Sequence, residues 1–169
     1  LYAEKTWRGW TGSQGVEAKY SSCPRNPEFR DYIRNVSRIY ASLKPAYIWV
    51  DDDLRYDNHK PATLDSHIGC WCDECIAEFN ARHNGRWTRQ TLACAIEKDK
   101  ALDSLWHSWC VETLCDIAAA ISEEVHKVSP QTKMAFQGKK EDIVVHHVKE
   151  ILTVMHEKTG LPVGYRPGT

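Results

Sequence analysis

Apolar residues recur at helical spacing through Phe29, Ile33, Val36, Ile39, Tyr40 and Leu43, which predicts a helix from about residue 26 to 44. Asn26-Pro27-Glu28 supplies its start: a side-chain cap, a proline in the first turn, and an acid at the positive helix end. Pro45 stops it. Residues 46–50 (AYIWV) are bulky and partly β-branched, so they read as a buried strand, and that strand runs into Asp51-Asp52-Asp53.

Further along, a helix is predicted from the Cys70–Cys75 turn through Phe79 to His83, closed by Asn84-Gly85. Thr88 caps a short helix to Glu97, and a long Ala- and Leu-rich helix follows over about 101–128, ended by Ser129-Pro130. Residues 132–137 (TKMAFQ) form a second strand broken by Gly138, and 142–158 a helix with Ile143, Val144, Val148, Ile151, Leu152 and Met155 on one face. On this reading His146-His147 lies mid-helix at the surface. Residues 161–165 (LPVGY) begin a third strand. Residues 1–22, with Gly9, Gly12 and Gly15, show no clear period and read as a long loop.

Strands separated by helices imply parallel pairing. The fold class is therefore α/β, and a partial (β/α)8 TIM barrel fits it best. A whole barrel takes about 250 residues, whereas this chain has 169 with three clear strands. It is read as a single segment of such a barrel, 1–169.

Composition narrows the partners. Hydrophobic residues make up 42% and charged residues 27%, enough apolar content for a packed core. The net charge is −1 and the pI about 6.8, which argues against a nucleic-acid-gripping protein. No stretch reaches the roughly 20 apolar residues of a membrane span. The opening LYAEKTWRGW mixes charge and indole, unlike a secretory leader. Seven cysteines, an odd number, fit a disulfide framework poorly. Cys94, Cys110 and Cys115 read as buried free thiols, and a reducing, cytoplasmic setting is expected. Self-association is left open.

The other four cysteines carry chemistry. Cys70-x-Cys72-x-x-Cys75 puts three sulfurs on one tight turn entering a helix, and Cys23, in Ser22-Cys23-Pro24, is the best fourth ligand. Zinc takes four such ligands in a tetrahedron, and four thiolates leave no open position, so the ion would be structural. A redox Cys72/Cys75 pair or simple reduced thiols are the competing readings.

Three aspartates ending an apolar strand repel one another unless something uses them, and ligands of parallel α/β sheets bind at that strand end. Alternation sets Asp51 and Asp53 on one face and Asp52 on the other. A glycosidase needs two carboxyl groups, one of them a proton donor, and Asp53 or Asp51 suits that role. Capping, pairing with Arg55 or calcium binding are the bland alternatives. His59, Gln137 and Arg166, also near strand ends, are candidate sugar contacts together with Asp52 and Arg55. Trp7, Arg8 and Trp10 are a candidate stacking wall.

Taken together, Ser22-Cys23-Pro24-Arg25-Asn26-Pro27, Tyr47-Ile48-Trp49-Val50 followed by acids, and Cys-x-Cys-x-x-Cys with Phe79 resemble the β-galactosidases of glycoside hydrolase family 42. The chain looks like a divergent relative, with residues 20–80 carrying most of the likeness. The resemblance implies barrel strands from the third or fourth to the sixth, and zinc on Cys23, Cys70, Cys72 and Cys75. It implies a retaining hydrolase acting on a carbohydrate, its nucleophile on a seventh strand outside this chain. The segment alone would then be inactive. The family's acid/base glutamate follows an asparagine at the end of the fourth strand. Here Asp52-Asp53 stands instead, and Asp53 takes the equivalent place with a side chain shorter by one methylene. A non-catalytic carbohydrate-binding barrel and a zinc-stapled interaction domain are the alternatives.

Overall fold

The computed structural model describes residues 6–51, 54–56, 67–139 and 147–168. Its contacts gather into two compact units, Leu1–Phe29 with Tyr56–Thr113, and Arg30–Arg55 with Leu114–Thr169.

The first unit opens with strands β1 (Gly9–Thr11) and β2 (Glu17–Ser22), paired antiparallel. Gly15 sits at φ 86° in the turn between them, and its N–H bonds to the Gly12 carbonyl. The expected long loop is thus a hairpin. Two short runs on either side of a glycine turn carry too few residues to show a two-residue period, so pairing had to reveal them. Beyond the hairpin, helices α2 (Asp73–His83) and α3 (Arg89–Ile96) lead to the first half of α4 (Lys100–Val128). Their ends obey local chemistry. Asn84, at φ 53°, closes α2, and Thr88 caps α3 by accepting from the Thr91 N–H. Asp99 caps α4 through the amides of Ala101 and Leu102.

Aromatic rings fill this unit. Trp71 lies 4.4 Å from Trp106, whose ring meets Phe79 edge-on at 5.1 Å. Both indole N–H groups donate to the Ile68 carbonyl, so the polar ends of two buried tryptophans are satisfied at one point. Gly69 is required beside it. Its φ is 105°, and an added Cβ would come within 2.5 Å of the Cys110 sulfur. Cys110 is buried as expected, but Cys94 is exposed and Cys115 only half-buried. Cys94 takes the outward side of α3, whose inward positions are Leu92 and Ile96.

The second unit is a three-stranded parallel sheet with its helices. Strands β3 (Tyr47–Val50), β4 (Lys133–Lys139) and β5 (Gly164–Gly168) stand in that order, with Trp49 opposite Ala135 and Ala135 opposite Gly164. Mixed α/β architecture with parallel strands was legible in the sequence. Gly138 does not break β4, because it pairs with Pro167 and the ladder overrides its weak strand preference. The third strand starts at Gly164, since Gly160 ends the preceding helix at φ 67°. That helix, α5 (Val148–Thr159), begins at His147, which is its left-handed cap and not a mid-helix surface residue. Residues 142–146, including His146, lie outside the described residues. Met134, Phe136, Ile117, Ile121, Val125, Ile151 and Met155 make the core.

Two expectations about burial fail here. Strand β3 is half-exposed: Tyr47 and Trp49 lie open while Ile48 and Val50 are partly covered. The helix α1 (Pro27–Ser42), capped by Asn26 Oδ1 on the Phe29 N–H, buries Ser37 and Ala41. It leaves Ile39, Tyr40 and Leu43 outside. Ion pairs also join the helix to α4, Arg38 to Glu124 and Arg30 to Asp116.

Glu124 accepts from Lys127 and from Arg38, each at 3.0 Å, and these hydrogen bonds hold its carboxyl below the usual 4.5. A depressed carboxylate stabilises the fold fully above its unfolded value, and the effect disappears as pH falls through the folded one. Both cationic partners are more than half exposed, so Glu124→Gln should cost only about 1 kcal/mol at neutral pH. Urea unfolding of the two proteins at pH 7 and at pH 3 checks this, the difference shrinking in acid.

Candidate functional site

The hairpin and the turn before α2 converge on four sulfurs. Cys23 immediately follows β2, and its N–H bonds to the Arg8 carbonyl, which fixes it to the strand end. Cys70 and Cys72 flank Trp71, whose N–H bonds to the Thr11 carbonyl of β1 at 2.7 Å. Cys75 sits in the first turn of α2. The Cys23 sulfur lies 3.8 Å from that of Cys72 and 3.5 Å from that of Cys75, and all four ligand atoms fall within 4.8 Å of one another. Tetrahedral zinc with Zn–S near 2.3 Å puts its sulfurs about 3.8 Å apart. The four cysteines are 1–3% exposed, and none is joined in a disulfide. The pairing of Cys72 and Cys75 into a separate redox couple loses its appeal once Cys23 and Cys70 complete the set.

The electrostatics favour a cation. Without one, the four thiols share protons. Cys23 is held far below the usual thiol range by hydrogen bonds from Cys70, Cys72 and Cys75, while hydrogen bonding with Cys23, Cys70 and Cys72 pushes Cys75 far above it. Only a cation lets all four ionise together in so dry a place. The Thr11 N–H points at the Cys70 sulfur at 3.5 Å, a contact of the kind that orients metal-bound thiolates. Arg8, drawn to Glu74 and then to Cys72 and Asp73, adds positive charge at the rim. Arg25, two residues past Cys23, lies 3.5 Å over the Trp109 ring and bonds to Thr113 and Glu78, which fixes the Cys-Pro-Arg segment against α4 and α2.

The strand-end candidates fare differently. Gln137 stands opposite Arg166 in the β4–β5 ladder, and Asp51 is the residue that follows β3, whose last pair is Val50 with Phe136. Asp51 and Arg166 are exposed and Gln137 is half-buried. Arg55 is half-buried in the segment after β3. Asp52, Asp53 and His59 lie outside the described residues. The stacking wall is not formed. Trp10 is buried in β1 at 3% exposure, Trp7 packs on Phe29, and Arg8 pairs with Glu74, so their side chains are taken up by the hairpin's own packing. An open concavity of about 460 Å³, lined by Val148, Leu152, Thr153, His156, Val163 and Tyr165, includes none of the expected sugar contacts.

The exposure of Trp49 differs from the buried strand that the sequence predicts. The residue is half-exposed on the face that Asp51 continues, and the two-residue alternation around the aspartates was the signal that could have found it.

Among the described residues no helix is long and apolar enough to cross a membrane. Comparison with protein-family models, curated proteins and solved structures gave no significant match.

If the cluster holds zinc, the purified, reduced chain should carry about one equivalent by elemental analysis. Cys23→Ser and Cys75→Ser should each lose it, whereas Cys110→Ser should keep it. Thiolate ligation releases protons, so retention measured across a pH series should fall toward acid.

Proposed function

We propose that this chain is the central segment of a glycoside hydrolase catalytic barrel, a divergent relative of the family 42 β-galactosidases, stapled by a structural zinc ion. The observation that carries the reading is Asp51, the residue that follows the C-terminal end of β3, with Gln137 and Arg166 paired in the later halves of β4 and β5. That end is where α/β sheets bind and transform their ligands. A carboxyl, an amide and a guanidinium suit a substrate rich in hydroxyls, each able to donate or accept. The tetrathiolate cluster supports the same reading, because the resemblance links such a site to this class of barrel.

In this reading an aspartate of the 51–53 run gives a proton to the leaving oxygen, Asp53 first and Asp51 next. A retaining mechanism then needs a second carboxyl about 5 Å away, which the resemblance assigns to a later strand outside this chain. Zinc has no open position and takes no part in the chemistry. Its role is to hold the hairpin to the turn before α2. The same groups would serve a non-catalytic sugar-binding barrel equally well, with Asp51 only gripping hydroxyls. A zinc-stapled interaction domain is the reading that leaves them without a use.

Catalysis separates them. In the full-length protein assayed on aryl β-glycosides, Asp53→Asn or Asp51→Asn should lower kcat by about 10²–10⁴-fold. Losses of only a few-fold in both would end the proton-donor assignment and leave binding alone.

A further inference from the structure

We propose that Arg25 is the residue that positions Cys23 as a metal ligand, and so sets how tightly and how long the four-cysteine site holds its ion. This deepens the zinc reading of that site and rests on it. Cys23 follows β2, whereas Cys70, Cys72 and Cys75 share one turn and the helix it enters. The place of Cys23 therefore depends on how its turn is held against α2. Within that turn the Asn26 N–H bonds to the Cys23 carbonyl at 3.1 Å, and the Arg25 backbone N–H donates to the Cys23 sulfur. A sulfur accepting from the amide two residues on behaves as Asp and Asn side chains do in turns. Wherever the Arg25 peptide is held, that sulfur is held with it.

The Arg25 side chain fixes that peptide from three directions. Its Nη1 pairs with Glu78 of α2 at 2.6 Å, its Nε donates to the Thr113 hydroxyl at 2.9 Å, and its Cζ lies 3.5 Å from the centre of the Trp109 ring. Thr113 sends its own proton to the Trp109 carbonyl, 2.8 Å away, which leaves a lone pair for Arg25. Glu78 stands three residues past Cys75, a spacing that makes neighbours on a helix surface. The ion pair thus joins the segments of two ligands whose sulfurs lie 3.5 Å apart.

Two other arginines reach acids of α2, and burial separates them from Arg25. Arg8 pairs with Glu74 at 3.0 Å and Arg89 with Asp73 at 3.8 Å, the acids being 69% and 85% exposed. Ion pairs so open to water contribute little. The Arg25 side chain is only 8% exposed, so its charge-assisted bonds form largely out of water. A guanidinium that is both stacked and forked has no substitute in lysine. Groups that orient metal ligands from outside are commonly worth about 10–100-fold in metal affinity.

The test is metal binding by the 169-residue chain, loaded with zinc and, separately, with cobalt(II). Competition with a chromogenic chelator gives the affinity and the rate of zinc loss, and the thiolate-to-cobalt charge-transfer band reports ligand geometry. Arg25→Ala should weaken zinc binding about 10–100-fold and shift that band. Arg25→Lys should recover only part of the loss, and Thr113→Val, which changes no charge, should fall between Arg25→Ala and the parent. Arg82→Ala is the control. Arg82 also lies over Trp109, at 5.5 Å, but its ion pair with Glu112 joins α2 to α4 and not to the Cys23 turn. Its zinc affinity and cobalt band should match the parent's. If Arg25→Ala holds zinc as tightly as the parent, the assignment is overturned while the zinc reading stands. Equal losses in Arg25→Ala and Arg82→Ala overturn it too, since both then act through general packing. Should Arg25→Ala fail to fold by circular dichroism, Arg25→Lys and Thr113→Val decide on the same two readouts. A parent chain that takes up neither metal overturns the assignment together with the zinc reading.

Discussion

Four sulfurs that cannot all be charged without a cation are the constraint around which the first unit is organised. Cys23 comes from the end of a hairpin, Cys70 and Cys72 from a turn some fifty residues later, and Cys75 from the helix that the turn begins. Backbone hydrogen bonds set the two segments against each other before any ion is considered: Cys23 to Arg8, and Trp71 to Thr11. The packing then follows from Trp71, held between two ligands. Its ring meets Trp106, Trp106 meets Phe79, and Ile68 receives both indole protons. Structural zinc in small sites is worth roughly 10 kcal/mol or more of folding free energy, comparable to the whole stability of a domain. An ion held by the four cysteines would therefore couple its binding to the order of this aromatic core.

The second unit shows what an uncovered parallel sheet presents. Parallel strands are ordinarily buried on both faces. Here the face bearing Ile48, Met134 and Phe136 is covered to differing degrees, while the face bearing Tyr47 and Trp49 is open. That open face carries Tyr47 and Trp49 on β3, Lys133, Ala135 and Gln137 on β4, and Gly164 and Arg166 on β5.

Local signals were read well because their physics is local. Asn26, Thr88, Asn84 and Gly160 cap or close helices through contacts within a few residues, so the helices could be placed to within a few positions. Cys-x-Cys-x-x-Cys spacing is likewise a short-range property, and Cys23 was chosen as fourth sulfur for its place just before the helix that leads into the acidic strand and for the resemblance of its Cys-Pro segment. Burial was read less well. The apolar stripe of α1 is half-buried at Phe29, Ile33 and Val36 and exposed at Ile39, Tyr40 and Leu43, and the exposed side of β3 carries the bulkiest residues of the strand. Trp10 was taken for a surface residue and is core, Trp49 for core and is surface.

By itself, then, the sequence determined the order of helices and parallel strands and the four-cysteine cluster, since each rests on periodicity, spacing or capping over a short span. The tertiary structure alone decided which side of each element meets solvent, that residues 9–22 pair as a hairpin, and that Trp49 lies over Ala135 toward Gly164. Apart from the hairpin, whose strands are joined by a short turn, those outcomes depend on partners dozens of residues away. A side chain's own hydrophobicity does not say which partners the fold will bring to it.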